Sequence, residues 1–226
     1  MTVSTPTDWT PATISERFNV SHETLQRLET YVALLLKWQR TVNLIGPKTR
    51  DDVWGRHIAD ALQYADLAPP TAKVWIDLGS GAGLPGMVLA IAMRQRPGFA
   101  MHLVEANSRK SAFLTIAAQS TGAPVKVHNR RIEDLAKDPL RPRADVITAR
   151  ALAPLVALLP LAVPFMWKNT VMLFSKGQDV EGELTEAAIS WKIKLDRIPS
   201  RVDRQGTILR IKEAIGDEQA GGNHQF

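Results

Sequence analysis

The ten residues Asp77-Leu-Gly-Ser-Gly-Ala-Gly-Leu-Pro-Gly86 constrain what this chain can fold into more than any other stretch. They overlap an apolar run, Val74-Trp-Ile-Asp-Leu, and lead into a segment of helical character over 84–94. A strand that ends in a glycine-rich turn and passes straight into a helix has the local form of a nucleotide-type site. Glycines let a ligand approach the backbone closely, and the start of a helix offers free amides. Past Pro70 the same alternation continues. Short apolar runs predict strands over 99–105, 125–128, 145–148 and 170–174, and helical stretches fall over 108–121, 152–166 and 181–190. That order implies β-α-β units and a mostly parallel sheet. Two last strands, over 192–198 and 207–211, are joined by a short loop containing Arg201-Val-Asp-Arg-Gln-Gly, so they are expected to pair antiparallel.

Two helices come before the sheet. Over 21–40, Leu25, Leu28, Val32, Leu35 and Leu36 recur at spacings of three and four behind a Ser21 N-cap; over 51–67, Val53, Trp54, Ile58, Ala61, Leu62 and Ala65 make one stripe that Pro69-Pro70 closes. Trp38, Trp54 and Trp75 lie on such stripes or strands and are expected in the core. The expected organisation is a disordered N-terminus (1–15), a helical extension (16–70), an α/β domain (71–213) and a disordered tail (214–226). The uncharged run 151–167 is broken by Pro154, Pro160 and Pro164 and is short for a bilayer span, so no membrane partner is expected. The first residues lack the basic segment and apolar core of a signal peptide, which points to the cytoplasm.

Composition removes several chemistries. Without cysteine there is no disulfide framework, no thiolate metal site and no thiol nucleophile. His22, His102, His128 and His224 show no metal-ligand spacing, and no metal site is expected. The 28 Lys and Arg exceed the 23 Asp and Glu unevenly: residues 94–150 carry 11 basic against 5 acidic side chains. Lys37, Arg40, Lys48, Arg50 and Arg56 form a second basic stretch, and such a basic face suits either a polyanionic partner or plain solvated surface.

The glycines alone do not choose the ligand, because Gly81-x-Gly83-x-x-Gly86 with Glu105 downstream also matches the dinucleotide fingerprint. Asp77 shifts the balance. A carboxylate two positions before the first glycine suits the ammonium of S-adenosylmethionine and sits badly beside a pyrophosphate. The α/β pattern also uses nearly the whole chain, leaving no separate substrate domain for a dehydrogenase. Glu105, at the end of the second strand, would then hold the ribose hydroxyls. The rivals are an NAD-dependent oxidoreductase and a nucleotide-sensing or RNA-binding module that keeps the fold without catalysis.

For a methyl transferase, the acceptor narrows by elimination. Carbon-5 methylation of a pyrimidine needs a cysteine. The loop common in exocyclic-amine methylation, Asn/Asp/Ser-Pro-Pro-aromatic, is replaced here by Thr148-Ala-Arg150-Ala-Leu-Ala-Pro. A ring nitrogen with a free lone pair, such as guanine N7, remains attractive and needs alignment more than a base. No dedicated catalytic residue is therefore expected.

Several motifs together carry a family likeness: Trp38-Gln-Arg-Thr-Val-Asn-Leu, Arg56-His-Ile-Ala-Asp60, the turn with its Gly-Leu-Pro-Gly86 ending, Arg131-Ile-Glu-Asp, Ala149-Arg-Ala and Ser175-Lys-Gly-Gln178. From about Leu25 to Lys212 the chain resembles the glucose-inhibited division protein B family, the bacterial small-subunit ribosomal RNA guanine-N7 methyltransferases. The resemblance implies a class I S-adenosylmethionine-dependent methyltransferase, a Rossmann-like α/β fold with a seven-stranded, mostly parallel sheet, an antiparallel last pair and an N-terminal helical extension. It implies S-adenosylmethionine as cofactor and one guanine in the decoding-region loop of 16S ribosomal RNA, free or in the small subunit, as substrate, with a monomer expected. Its cofactor contacts fall on Gly79, Leu84, Ile132, Glu133 and Arg150, beside the Asp77, Gly81, Gly83 and Glu105 already singled out. One departure is Gln39, where many members carry Asn.

Of these, Glu133 has the alternative of capping the helix that follows it, and Arg150 that of a salt bridge to Asp77 or Asp145. Lys37, Arg40, Arg56, His57, Arg131 and Lys176 are the residues expected to face RNA. Lys176 would reach a phosphate or the target base, with an unremarkable surface lysine as its alternative, and His57 has the alternative of a packed, hydrogen-bonded histidine.

Overall fold

The computed structural model describes residues 9–217. Its core is a seven-stranded sheet in the order β3-β2-β1-β4-β5-β7-β6. β1 (Val74–Leu78), β2 (Ala100–Val104), β3 (Val125–His128), β4 (Ala144–Arg150) and β5 (Met166–Lys176) run parallel. β7 (Thr207–Gly216) is antiparallel both to β5 and to β6 (Trp191–Pro199), as the short joining loop predicts.

Alternation of side chains across the pleat builds two cores on the two faces of this sheet. Trp75, Met101 and Leu103 face α2 (His22–Trp38), α4 (Gly86–Ala92) and α5 (Ser108–Thr121), with α1 (Pro11–Arg17) packed behind α2. Ile76, Val104, Ile147 and Phe174 face the other core, made by α6 (Ile132–Ala136), α7 (Leu155–Ala162) and α8 (Val180–Ala187). β1 lies between β2 and β4, so the chain reverses its direction of growth there. Parallel sheets open a crevice at the carboxyl ends of their strands beside such a reversal.

Elements with strong local signals fall where expected. α5 has Asn107 as N-cap, accepting from the amides of Arg109 and Lys110, and ends on Gly122 in the left-handed region. Other boundaries move. The single helix expected over 51–67 is a composite: a π-helical turn (Trp54–Ala59), α3 (Asp60–Leu62) and a 3-10 turn (Gln63–Asp66). The helix expected over 152–166 shortens to α7, since Pro154 precedes it and Pro164 lies in a separate 3-10 turn, Val163–Phe165. No helix among the described residues is long and apolar enough to cross a membrane.

Two expectations of disorder need correcting. Within 1–15, Thr10 caps a helix that starts with Pro11, Thr13 reciprocates the cap, and the fully buried Ile14 anchors it to the core. Within 214–226, residues as far as Gly216 continue β7, because β6 still pairs with them after β5 has stopped: Ile193 faces Ala214 and Trp191 faces Gly216. Residues 1–8 and 218–226 lie outside the described part.

The extension is welded to the α/β layer by aromatic packing. Phe113 of α5 is fully buried between Tyr31 and Trp38 of α2, with ring centroids 6.2 and 5.9 Å away. Phe113→Ala is expected to cost about 3–5 kcal/mol of folding free energy, through lost burial and the cavity left behind. Urea unfolding followed by circular dichroism would measure it, and a loss under 1 kcal/mol would show that the extension does not depend on this contact.

Candidate active site at the strand ends

The glycine turn follows β1 at the reversal point. Gly79, Gly81 and Gly83 have φ of +63°, +57° and +86°, which L-side chains rarely adopt. Sterics separate their roles. A Cβ on Gly79 would lie 2.5 Å from Leu152 Cδ1, one on Gly83 2.7 Å from Met87 Cβ, and one on Gly86 2.5 Å from Leu103 Cδ2. These three are glycines because protein packs against them. A Cβ on Gly81 would meet nothing closer than the Gly79 carbonyl oxygen at 3.9 Å. Gly81 is therefore the point where the turn is open to something other than protein.

Two carboxylates bracket that opening. Glu105, just past β2 and half-buried, accepts from the Gly81 amide through Oε2 (2.8 Å) and from the Asn107 amide through Oε1 (2.7 Å). Asp77 lies beneath the turn, fully buried. Its Oδ1 accepts from Thr148 Oγ1 of β4 at 2.7 Å, across the reversal point, while Oδ2 is buried without a hydrogen-bond partner. Burial pushes the Asp77 carboxyl up to about 6, against the opposing pull of Thr148, Ser80, the Gly86 amide and the charge of Arg150. A buried carboxylate with one unsatisfied oxygen is a costly feature that a cationic ligand would relieve. The turn is itself tied to the extension, for Tyr31 donates its hydroxyl to the Ala82 carbonyl at 2.7 Å.

Leu84 and Ile132 are almost buried on either side of this region, and Arg131 and Glu133 are exposed at the start of α6. Arg131 is the N-cap of that helix and makes no side-chain cap bond, and Glu133 stands in its first turn.

Arg150, at the end of β4, is held from three directions. It pairs with Asp60 Oδ2 at 3.0 Å, donates to the Arg56 carbonyl at 3.2 Å and donates through Nη2 to His57 Nδ1 at 2.8 Å. Its ion-pair partner is thus Asp60, not the Asp77 or Asp145 considered from sequence. Since Nδ1 accepts, Nε2 carries the proton and donates to Thr49 Oγ1 at 2.9 Å. Burial and the charges of Arg150 and Arg56 hold the His57 imidazole down to about 3. His57 is a neutral, packed histidine that orients Arg150, not a cation for phosphate.

Lys176, at the end of β5, also departs from expectation. It is buried, pairs with Glu183 Oε2 of α8 at 2.6 Å and donates to the Ala153 carbonyl at 2.8 Å, so neither a surface lysine nor a free phosphate ligand describes it. Lys37, Arg40, Arg56 and Arg131 are exposed; Arg56 pairs with Asp203 at 2.9 Å. Two cavities of about 290 and 310 Å³ open at the ends of β4 and β5, and Ala151, with φ +52°, borders both. Strained backbone of this kind concentrates at functional sites.

Asp60, Asp203, Glu183, Thr148 and Tyr31 escaped the sequence reading of the site. Asp60 and Asp203 stood inside segments already singled out, the Arg56-His-Ile-Ala-Asp60 motif and the last loop. Tyr31, a polar-tipped aromatic on the apolar stripe of α2, was the one readable signal for a buried hydroxyl partner.

This sheet order, with a glycine turn between two carboxylates at the reversal point, defines a class I S-adenosylmethionine-dependent methyltransferase fold. Solved structures agree on the fold. An O-methyltransferase from Bacillus cereus in complex with SAH superposes with a TM-score of 0.59 over 91% of this chain and 98% of that one, at 13% identity. Cofactor-bound Rv0187 from MTB gives 0.60 over 89% and 94%, at 12% identity. Sequence gives the family: the model described as rRNA small subunit methyltransferase G (GidB) matches residues 24–207, and the chain belongs to that family. A relative named ribosomal RNA small subunit methyltransferase G, from Methylorubrum populi, is 53% identical over 193 residues, covering 85% of this chain and 90% of its own length. One of the same name from Parvibaculum lavamentivorans is 46% identical, covering 88% of each chain.

The turn glycines are expected to separate under mutation. Gly81→Val should abolish cofactor binding in calorimetric titration yet leave a folded protein, at a backbone cost of about 1–3 kcal/mol. Gly83→Val should cost more stability, because its side chain meets Met87 and Leu114 as well. Global unfolding of the Gly81 variant alone would contradict the assignment.

Asp77 supplies a pH test. With its folded value raised, this group's penalty on the fold is present above pH about 6 and fades as pH falls toward the ordinary carboxylate range. The same proton removes the charge facing an ammonium. Cofactor affinity should fall on acidification through pH about 6. Asp77→Asn should bind about tenfold more weakly at pH 8, show no such pH dependence and be no less stable. Titrations at pH 5 to 8 decide it, and parallel profiles for the two proteins would exclude Asp77.

Proposed function

We propose that this protein transfers the methyl group of S-adenosylmethionine to N7 of one guanine in the decoding-region loop of 16S ribosomal RNA, acting as a monomer in the cytoplasm. The observation that carries this is the opening over Gly81, walled by Glu105 and underlain by the unsatisfied Asp77 oxygen, in a chain of the rRNA small subunit methyltransferase G family.

The residues fit the cofactor's chemistry. Gly79, Gly81, Gly83 and Leu84 would hold it along the turn, Glu105 would take its ribose hydroxyls, and Ile132 and Glu133 would flank its adenine. Asp77 would act on its ammonium through charge, and Arg150 would close the site at the end of β4. When bound, the cofactor supplies an electrophilic methyl: the N7 lone pair forms the new N–C bond as the S–C bond breaks, and the electron pair of that bond stays on sulfur. No proton leaves the base, so the chain's task is alignment. His57 and Asp60 serve it by fixing Arg150. Lys37, Arg40 and Arg131 supply exposed positive charge for RNA phosphates, and Arg56 faces the RNA at the cavity mouth.

Mass-spectrometric mapping of 16S nucleosides from cells with and without the protein tests the reaction. The expected result is one 7-methylguanosine present only with the protein; an unchanged map would refute it. Binding to ribosomal RNA should weaken with salt, with a slope of log K on log [salt] near −3 for about four phosphate contacts. Arg131→Ala should flatten that slope by roughly 0.7–0.9, and a flat slope for the parent protein would remove the RNA face.

A further inference from the structure

Three ion pairs border the strand-end cavities, and burial sorts them. Arg150–Asp60 has side chains 19% and 14% exposed, and Lys176–Glu183 5% and 23%. Both acids have second obligations: Asp60 Oδ1 accepts from Gln63 Nε2 at 2.8 Å, and Glu183 Oε2 from the Leu155 amide at 2.7 Å. Parting either pair strands a charge in the interior. The third pair differs. Arg56 and Asp203 are 45% and 35% exposed at 2.9 Å, and they join the π-helical turn to the β6–β7 loop across the 310 Å³ cavity that both line. An ion pair so exposed adds little to stability, so its members can exchange partners at small cost.

Its hydrogen-bonding capacity is also unspent. Asp203 Oδ1 accepts from the Gln205 amide at 3.0 Å and Oδ2 from Arg56 Nη1. Each carboxylate oxygen can accept two hydrogen bonds, and among the described contacts each accepts one. The mouth of the cavity thus presents a planar donor beside a planar double acceptor. The pairing edge of guanine is the complement: O6 accepts, and N1–H and the N2 amine donate. Adenine and cytosine begin that edge with an amine followed by an acceptor, the reverse order, and uracil would turn O2 toward the carboxylate. Reading guanine by this edge also leaves N7 unobstructed, whereas an arginine placed on O6 and N7 together would block it. A base in a single-stranded loop can be splayed into such a pocket and read there.

We propose that Arg56 and Asp203 select the acceptor base, Asp203 accepting from N1–H and N2–H of an extruded guanine and Arg56 donating to O6. The inference rests on guanine N7 being the acceptor, and the test keeps the two claims apart. Asp203→Asn is the informative variant, since asparagine keeps an Oδ1 for the Gln205 amide and changes one acceptor into a donor. Two 16S RNAs are compared, naked and assembled with small-subunit proteins: one with guanosine and one with inosine, which lacks only the N2 amine, at the methylated position.

For the parent protein, kcat/KM is expected to fall about tenfold from guanosine to inosine. Asp203→Asn should lose about ten- to a hundredfold on guanosine, treat the two RNAs alike and keep the parent's cofactor affinity. A merely structural Asp203 would leave the discrimination intact in the variant. That result, or a parent enzyme indifferent to the N2 amine, overturns the inference while N7 methylation stands. No methyl on N7 of any guanine would overturn the reaction assignment, and the inference with it.

Discussion

A carboxylate buried beneath a turn of glycines is the constraint from which the rest of the site follows. Asp77 stands one residue before the end of the strand at which the sheet reverses its growth, and Thr148 of the neighbouring strand bonds one of its oxygens. The other oxygen leaves no room above it: a Cβ on Gly86 would stand 2.9 Å from Oδ2 and 2.8 Å from the Asp77 Cβ. The glycine that starts α4 is thus required by the Asp77 side chain together with Leu103, whose Cδ2 a Cβ would meet at 2.5 Å. An apolar residue at position 77 would escape the desolvation cost of a buried charge. Retaining an acid there makes sense for a ligand that brings its own positive charge.

The helical extension belongs to the same site. Tyr31 reaches the Ala82 carbonyl within the turn, and the π-helical turn with α3 directly after it sends His57, the Arg56 carbonyl and Asp60 to Arg150. A π-turn widens the helix by one residue and changes which side chains share a face, and such turns recur at functional positions. Here three residues within five positions converge on one guanidinium. The guanidinium is fixed before any ligand arrives, which lowers the ordering cost of alignment.

How much of this the sequence disclosed depends on the range over which each signal acts. β1, β3 and α5 were legible to the residue because their periodicity, caps and glycine stops are local. The turn and its flanking acids were legible because the strand–glycine–helix order names them. The Thr10-Pro11 start of α1 was equally local, but its short apolar stripe hid it. Pairing partners were not legible at all. Asp60 and Arg150 are 90 positions apart, and Arg56 and Asp203 147 apart. Nothing in the neighbourhood of Lys176 shows that α8 folds back to bury it against Glu183. Gln39 is an intermediate case: where many members carry Asn, its longer amide accepts from the Leu44 and Ile45 amides and donates to the Ile45 carbonyl, closing the loop after α2.

Charge at the strand ends therefore works in two regimes. The buried pairs are weakly screened and set geometry, whereas Lys37, Arg40 and Arg131 act through a field that salt attenuates over about 8–10 Å. The Arg56–Asp203 pair sits at the boundary between them, and the proposed reaction gives that position a further consequence. Alkylating a ring nitrogen without losing a proton leaves the base positively charged. A carboxylate on its pairing edge then interacts more strongly with the methylated base than with the neutral one. Any part of that gain already present in the transition state favours catalysis, because it is absent from the bound substrate. The remainder opposes release of the product. Deep burial would enlarge both effects, and full exposure would cancel them through screening. A half-exposed acid is the compromise that keeps discrimination between bases while letting the modified RNA leave.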